Sequence, residues 1–343
     1  MIGRDDSQTK DEPETTASGI TLADVAALAG VGESTVSRVL RNHGSFSKAT
    51  RDKVMSAVQQ LGYVPNRIAG TLASTGSRLV AIIVPSLSNI VFADVLSGAS
   101  AGLESDGYQA VFGVTDYDPN REEALIASML AWRPSAIMVA GLEHTDNAGK
   151  MLRASRVRIA ELLDIDGPGI DIVVGFSNLE AGRVSARHLL SRGYRRIGYV
   201  GHDLERDKRA RKRLGGFCEA LTEAGMALAD QEMTSAPSSV EIGRMGLAKL
   251  LERSPALDAV YFSNDDMAIG GYFHCLSHGI GIPTELAIFG YNGLNIGTMA
   301  PRPLSTIRTP RVAIGRTAAA LVTSDTPSQV VDLGFELIAG ATA

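Results

Sequence analysis

Apolar residues follow a helical period from residue 22 to residue 61 and change to short, dense runs beyond residue 78. Leu22, Val25, Ala26 and Ala29 stand at i, i+3, i+4 and i+7, and Thr21 with Asp24 three positions on reads as a capping box. After Gly30-Val31-Gly32 a second helix is predicted from Glu33 and Ser34, with Val36, Val39 and Leu40 on its inner face. A third opens at Ser47 as N-cap and turns Val54, Val58 and Leu61 inward. Pro65 stops it. The stretch 66–74 is too short to be stable as an isolated helix, and Gly70 weakens it by about 1 kcal/mol relative to alanine.

From Leu79 onward, strands are predicted at 79–84, 109–114, 136–140, 159–163, 172–176, 197–200, 259–262 and 286–290. Helical patterns at 92–105, 121–132, 179–191, 214–224, 242–251 and 267–278 lie between them. Continuous apolar strands joined by helices imply parallel sheets covered on both faces, and their number implies two doubly wound lobes. Ligands of such sheets bind beyond the carboxyl ends of the strands, here in the cleft between lobes. The expected organisation is therefore a disordered tail over 1–19, a small all-α unit over 20–64, a hinge over 65–77 and a large α/β domain over 78–343.

Composition narrows the class. The chain has 343 residues, 45% hydrophobic and 21% charged, which suits a soluble globular protein with two or three core-forming units. No apolar run approaches the roughly 18 residues that span a bilayer, and the polar, acidic N-terminus lacks the apolar stretch of a secretory signal. A cytoplasmic protein without a membrane partner is expected. Cys218 and Cys275 are far apart and form no metal-binding spacing, so neither a disulfide framework nor a metal site is expected. The net charge of −5 is unevenly spread: residues 1–19 carry −3, whereas residues 20–78, with seven basic and three acidic groups, carry +4. A basic block beside an acidic body is compatible with DNA binding.

Doubly wound folds also host enzymes, so their signatures matter. The chain has no G-x-G-x-x-G after a strand, no G-x-x-x-x-G-K-[ST] and no G-x-S-x-G. His274 and His278 have metal-ligand spacing on a helix, but Cys275 stands where a zinc protease needs glutamate. Asp265 and Asp266 at a strand end fit helix capping better than paired-carboxylate catalysis. No enzyme activity and no cofactor are expected.

The order of residues in the N-terminal unit says more than its period. Residues 21–67 read TLADVAALAGVGESTVSRVLRNHGSFSKATRDKVMSAVQQLGYVPNR. Asp24-Val25-Ala26, Ala29-Gly30-Val31, Thr35-Val36-Ser37-Arg38-Val39-Leu40 and Leu61-Gly62-Tyr63-Val64-Pro65-Asn66-Arg67 closely resemble the helix-turn-helix headpiece of the lac-repressor (LacI/GalR) family. The resemblance implies that the second helix enters the major groove, with Glu33, Ser34 and Arg38 toward base edges. Arg38 is the strongest candidate, since a guanidinium can donate two hydrogen bonds to O6 and N7 of guanine, while Glu33 could accept from cytosine N4. Gly32 departs from the serine common in the family and weakens one cap. Thr35 is a further DNA-binding position, and Thr21, Ser37, Ser47, Asn66 and Arg67 have donors suited to phosphate oxygens. Leu72 matches a leucine that wedges into the minor groove when two hinge segments fold on the operator. The implied partners are a double-stranded, pseudo-palindromic operator and a second copy of the chain, as a homodimer.

The resemblance continues to the end of the chain and implies a periplasmic-binding-protein-like fold, with lobe crossings expected near Ser177, Thr306 and Asp325. Pro85-Ser86-Leu87-Ser88-Asn89, Gly175-Phe176-Ser177-Asn178, Asn264-Asp265-Asp266 and Val331-Asp332-Leu333-Gly334-Phe335 are most similar to the gluconate-utilisation repressor subgroup. By match the cleft is lined by Ser86, Phe92, Glu161 or Asp164, an arginine of 206–213, Asn264 and Asn292. Six of those eight positions are basic, and Arg213 and then Arg209 match best. Asn292 stands where sugar-binding members often carry aspartate, which suits an anionic ligand. The expected effector is gluconate or a related aldonic acid that lowers operator affinity. The alternative is a sugar-acid sensor without DNA, or a co-repressor-dependent regulator with a different small molecule.

Overall fold

Helix α1 (Leu22–Ala29) begins at Thr21, whose hydroxyl accepts from the Asp24 amide while Asp24 Oδ2 accepts from the Thr21 amide at 2.8 Å, completing the capping box. It ends at Gly30, whose left-handed φ of 64° suits glycine and returns the amide to the Ala26 and Ala27 carbonyls. Helix α2 (Glu33–Leu40) starts at Gly32 without a side-chain cap, and α3 (Lys48–Leu61) starts at Ser47, which accepts from the Thr50 amide at 3.1 Å. Val25, Ala26, Ala29, Val36, Val39, Val54 and Ala57 form the core of this unit, with Val58 and Leu61 half-buried at its edge. This computed structural model describes residues 20–41, 43–64 and 77–343. The expectations for the 1–19 tail and for Asn66, Arg67 and Leu72 of the hinge lie outside the described residues. The chain divides into two compact units, Met1–Thr75 and Gly76–Ala343.

The larger unit has two parallel sheets. In the first lobe, β1 (Leu79–Val84), β2 (Gln109–Val114), β3 (Ala136–Ala140), β4 (Arg158–Leu162), β5 (Ile172–Gly175) and β11 (Gln329–Asp332) lie in the order β11-β5-β4-β3-β1-β2. Helices α4 (Ile90–Ser105), α5 (Pro119–Ala131), α6 (Asp146–Ala154) and α12 (Arg311–Val322) cover them. In the second lobe, β6 (Ile197–Gly201), β7 (Asp230–Met233), β8 (Ala259–Phe262) and β9 (Ala287–Phe289) lie in the order β7-β6-β8-β9. Helices α7 (Asn178–Ser191), α8 (Lys208–Glu223), α9 (Val240–Arg253) and α10 (Asp265–His278) accompany them, and α11 (Asn295–Thr298) follows β9. The short antiparallel pair β10 (Thr306–Arg308) and β12 (Glu336–Ile338) lies on the connections between lobes.

The chain passes between lobes at 176–177, at 309–310 and at 333–335. The passage expected near Asp325 falls elsewhere, because that residue joins α12 to β11 and both belong to the first lobe: Gln329 to Asp332 pair in parallel with Ile172 to Gly175. The reason is legible in burial. Strand β11 is a half-exposed sheet edge without a continuous apolar run, so its sequence carries no strand signal.

Glycine lets helices meet backbone to backbone. A Cβ on Gly182 of α7 would lie 1.9 Å from the Arg213 carbonyl of α8, and one on Gly216 of α8 would lie 2.0 Å from the Leu179 carbonyl. These contacts fix the height of α8 on its lobe. Gly216→Ala should therefore destabilise the protein by roughly 1–3 kcal/mol through overpacking. Gly215→Ala, one position along and with nothing within 4 Å of the added methyl, should be neutral or gain up to about 1 kcal/mol from helix propensity. Thermal unfolding of the two variants checks this; equal shifts would contradict the contact.

Candidate nucleic-acid interface and effector cleft

The outer face of α2 is polar because Val36 and Val39 occupy the inner one. Glu33, Ser34 and Arg38 are exposed, and Thr35 and Ser37 are half-buried beside them. The Arg38 guanidinium pairs with no described residue, whereas Arg41 donates to the Ser37 hydroxyl. Thr21 and Ser47 are exposed and cap α1 and α3, so each stands where a helix N-terminus presents free amides to an anion.

In the larger unit the loops at the carboxyl ends of both sheets converge on one narrow cavity. From the first lobe come Asn89, Val91 and Phe92 after β1, Tyr117 after β2, and Leu163 after β4. The second lobe supplies Asp207, Arg209 and Arg213 after β6, Asn264 after β8, and Tyr291 and Asn292 after β9. Phe176, Asn178 and Thr309 complete the wall at the crossings. Five residues expected from the sequence thus meet: Phe92, Arg209, Arg213, Asn264 and Asn292.

Three expected residues stand elsewhere. Ser86 is half-buried and turned to its own loop, 3.0 Å from the Ser88 hydroxyl and accepting from the Asn89 amide. Glu161 is wholly buried within β4, where strand alternation turns it away from the cavity toward His144 and the Ile170 amide. Asp164 is engaged by Lys212 Nζ at 2.5 Å and by the Asp166 amide at 3.0 Å. Leu163 takes the cavity position instead.

The basic run 206–213 sorts itself by helical spacing. Arg209 and Arg213, four apart on one face of α8, are buried at the cavity, while Arg206, Lys208 and Arg211 pair with Asp203 or Glu205 near the surface. Lys212 crosses to the other lobe and contacts both Asp164 and Glu143. Arg213 lies 4.0 Å over the Tyr291 ring and donates to Asn178 Oδ1 at 3.1 Å, and Arg209 lies 5.2 Å over the Phe92 ring.

Asp207, which pattern reading did not single out, sets the electrostatics. Its Oδ1 caps α8 by accepting from the Ala210 amide at 3.0 Å, and its Oδ2 is 3.3 Å from His202 Nε2. His202 Nδ1 is in turn 3.0 Å from the Ser263 hydroxyl. Burial alone would raise the Asp207 carboxyl, but His202, Arg209 and Arg213 outweigh it and hold it far below the usual carboxylate range. The carboxylate stays charged. Asn264 caps α10 by accepting from the Met267 amide, and Asn292 has a φ of 117°, a backbone conformation that costs of order 1–3 kcal/mol for a residue with a side chain. Tyr291 and Thr309 line the wall with hydroxyls that have no hydrogen-bond partner. An N-cap signal before the basic helix could have revealed Asp207; Thr309 carries none.

The other candidate chemistry is packing. His274 and His278 stack with centroids 4.1 Å apart, and Asp265 accepts from the Leu294 amide and the Thr306 hydroxyl. Among the described residues no helix is long and apolar enough to cross a membrane.

Comparison with known proteins bears on both sites. Residues 77–331 match the model of periplasmic binding proteins and the sugar-binding domain of the LacI family, and residues 21–66 match that of bacterial regulatory proteins of the lacI family. The chain is 40% identical over 341 residues to the HTH-type transcriptional regulator GntR of Pseudomonas aeruginosa, covering 97% of this chain and 98% of that protein. It is 34% identical over 329 residues to the regulator of the same name from Escherichia coli K12, covering 94% and 98% respectively. The crystal structure of a LacI-family transcriptional regulator from Silicibacter pomeroyi matches with a TM-score of 0.90 at 44% identity, over 94% of this chain and 99% of that one.

The cluster that holds Glu161 makes a pH prediction. Burial would lower the His144 pKa, but hydrogen bonds to Glu122 at 2.6 Å and Glu161 at 3.3 Å outweigh it and raise it to about 9. A raised folded-state pKa stabilises fully below the unfolded value near 6.5 and is lost as pH rises through about 9. The stability difference between the protein and His144→Gln should shrink by roughly 1–3 kcal/mol from pH 6.5 to pH 9 in urea titrations. A difference independent of pH would contradict the pairing.

Proposed function

Because the chain belongs to the LacI family of bacterial DNA-binding transcriptional regulators, we propose that it represses sugar-acid utilisation genes and that an aldonic acid of the gluconate type releases it from its operator. It is a transcriptional regulator rather than an enzyme, and the lac repressor, whose fold it shares, is a dimer on its operator, which supports a dimeric, operator-binding reading for this chain. Residues 20–64 are the DNA-binding domain in this reading, 65–77 the hinge and 78–343 the effector-binding and dimerisation domain. Arg38, Glu33 and Ser34 read base edges of a pseudo-palindromic site, and Thr21, Thr35, Ser37 and Ser47 contact the backbone. Asn66, Arg67 and the Leu72 wedge are assigned on resemblance alone.

The observation that carries the effector reading is a charge imbalance: two buried guanidiniums face one buried carboxylate at the cavity wall. Such a wall favours an anion, and a ligand carboxylate can take charge-assisted, two-pronged hydrogen bonds from Arg213 or Arg209. Side-chain amides of Asn89, Asn264 and Asn292 suit hydroxyls, which both donate and accept. A ligand touching both lobes favours their closed arrangement, and each tenfold preference for it shifts the equilibrium by about 1.4 kcal/mol.

Fluorescence anisotropy on an operator obtained by in vitro selection tests the whole reading. D-gluconate should weaken operator binding at least tenfold and D-glucose should not, while a protein carrying Arg209→Met and Arg213→Met should still bind DNA but ignore gluconate. Arg38→Ala should lose discrimination between operator and random DNA, by roughly 1–3 kcal/mol per half-site. Release by glucose and not by sugar acids would overturn the effector assignment, and equal loss on both DNAs would make Arg38 a phosphate contact.

A further inference from the structure

Two residues of the cavity wall carry buried hydroxyls with no hydrogen-bond partner among the described residues. Tyr291 is 2% exposed and Thr309 6% exposed, both line the cavity, and Tyr291 Oη and Thr309 Oγ1 are buried without a partner. Only one other described side-chain atom shares that condition, Tyr261 Oη, and Tyr261 is not at this wall. Leaving a buried hydroxyl unpaired forfeits the hydrogen bonds it makes with water, so native proteins rarely keep one without a use.

We propose that Tyr291 and Thr309 recognise hydroxyl groups along the carbon chain of the bound acid, and so make the cavity select polyhydroxylated acids over simple carboxylates. The assignment rests on the sugar-acid reading above and adds to it the residues that would discriminate within that class. Both residues are held where they are by contacts that leave their hydroxyls free. The Tyr291 carbonyl accepts from the Asp265 amide at 2.8 Å, and its ring is covered by Arg213 at 4.0 Å. Thr309 immediately follows β10 at the crossing into the first lobe, and its carbonyl accepts from the Arg311 amide at 3.0 Å. The arginines carry donors suited to a carboxylate and can accept nothing. A hydroxyl is the complementary partner for a ligand hydroxyl, since each can donate to or accept from the other. Burial keeps the Tyr291 phenol protonated, well above its ordinary titration range, so it remains a donor at any physiological pH.

The test exploits a difference in sign. If the hydroxyls serve the ligand, removing them relieves an unpaired group in the free protein while weakening the complex; if they served the fold, both quantities would fall together. Calorimetry on the full-length protein with D-gluconate, D-galactonate and hexanoate, a six-carbon acid without hydroxyls, would be compared for wild type, Tyr291→Phe and Thr309→Val. Thermal unfolding without ligand completes the set. We expect roughly five- to tenfold weaker binding of at least one aldonate in each variant, no change for hexanoate, and an unliganded melting temperature unchanged or raised. A variant with unchanged aldonate affinity overturns the assignment of that residue and leaves the sugar-acid reading standing. Weaker binding with a matching loss of unliganded stability assigns the hydroxyl to the fold and also overturns it. No aldonate binding by the wild type overturns both.

Discussion

Arg209 and Arg213 share a single carboxylate, Asp207, in a space with little access to water, and the rest of the cleft is arranged around that arrangement of charge. A buried charge is tolerated when it is paired, and here the pairing is incomplete by one. Asp207 cannot drift to balance both guanidiniums, because one oxygen caps α8 and the other is held by His202, which is itself held by Ser263. The amino end of α8 adds its own positive potential to the same place. Aromatic faces of Phe92 and Tyr291 cover the cations without neutralising them.

The same helix also ties one lobe to the other. While Arg209 and Arg213 turn inward, Lys212 reaches across to Glu143 and Asp164 of the first lobe, 2.5 Å from each. Close glycine contacts between α7 and α8 set the position from which all three side chains start. A ligand gripped by the arginines and touching Asn89 or Phe92 therefore acts across the same gap that Lys212 spans. Any effect on DNA must travel through that gap as a difference in affinity between two lobe arrangements.

Much of this was legible in the sequence, for identifiable reasons. The headpiece was readable because its helices are amphipathic, begin at Thr21 and Ser47, and turn at Gly30. The long apolar strands were readable because both their faces are buried. Strands β7, β10, β11 and β12 were not, since none is a continuous apolar run, and β7, β11 and β12 are only partly buried as well. For the cleft, residue order brought out Phe92, Arg209, Arg213, Asn264 and Asn292, but it could not decide which carboxylate of the β4 region faced the cavity. Neither Glu161 nor Asp164 does: a strand reverses its side chains at every residue, and Lys212 claims Asp164. Asp207, Tyr291 and Thr309 come together only when three distant loops fold onto one another, a relation that periodicity does not encode.

A cleft completed by a negative charge must distinguish two ligands that differ in little but charge. Calorimetry on the wild-type protein should show D-gluconate binding at least tenfold more tightly than D-gluconamide, its neutral counterpart of nearly equal shape. Equal affinity for the two would mean that the second guanidinium needs no anion.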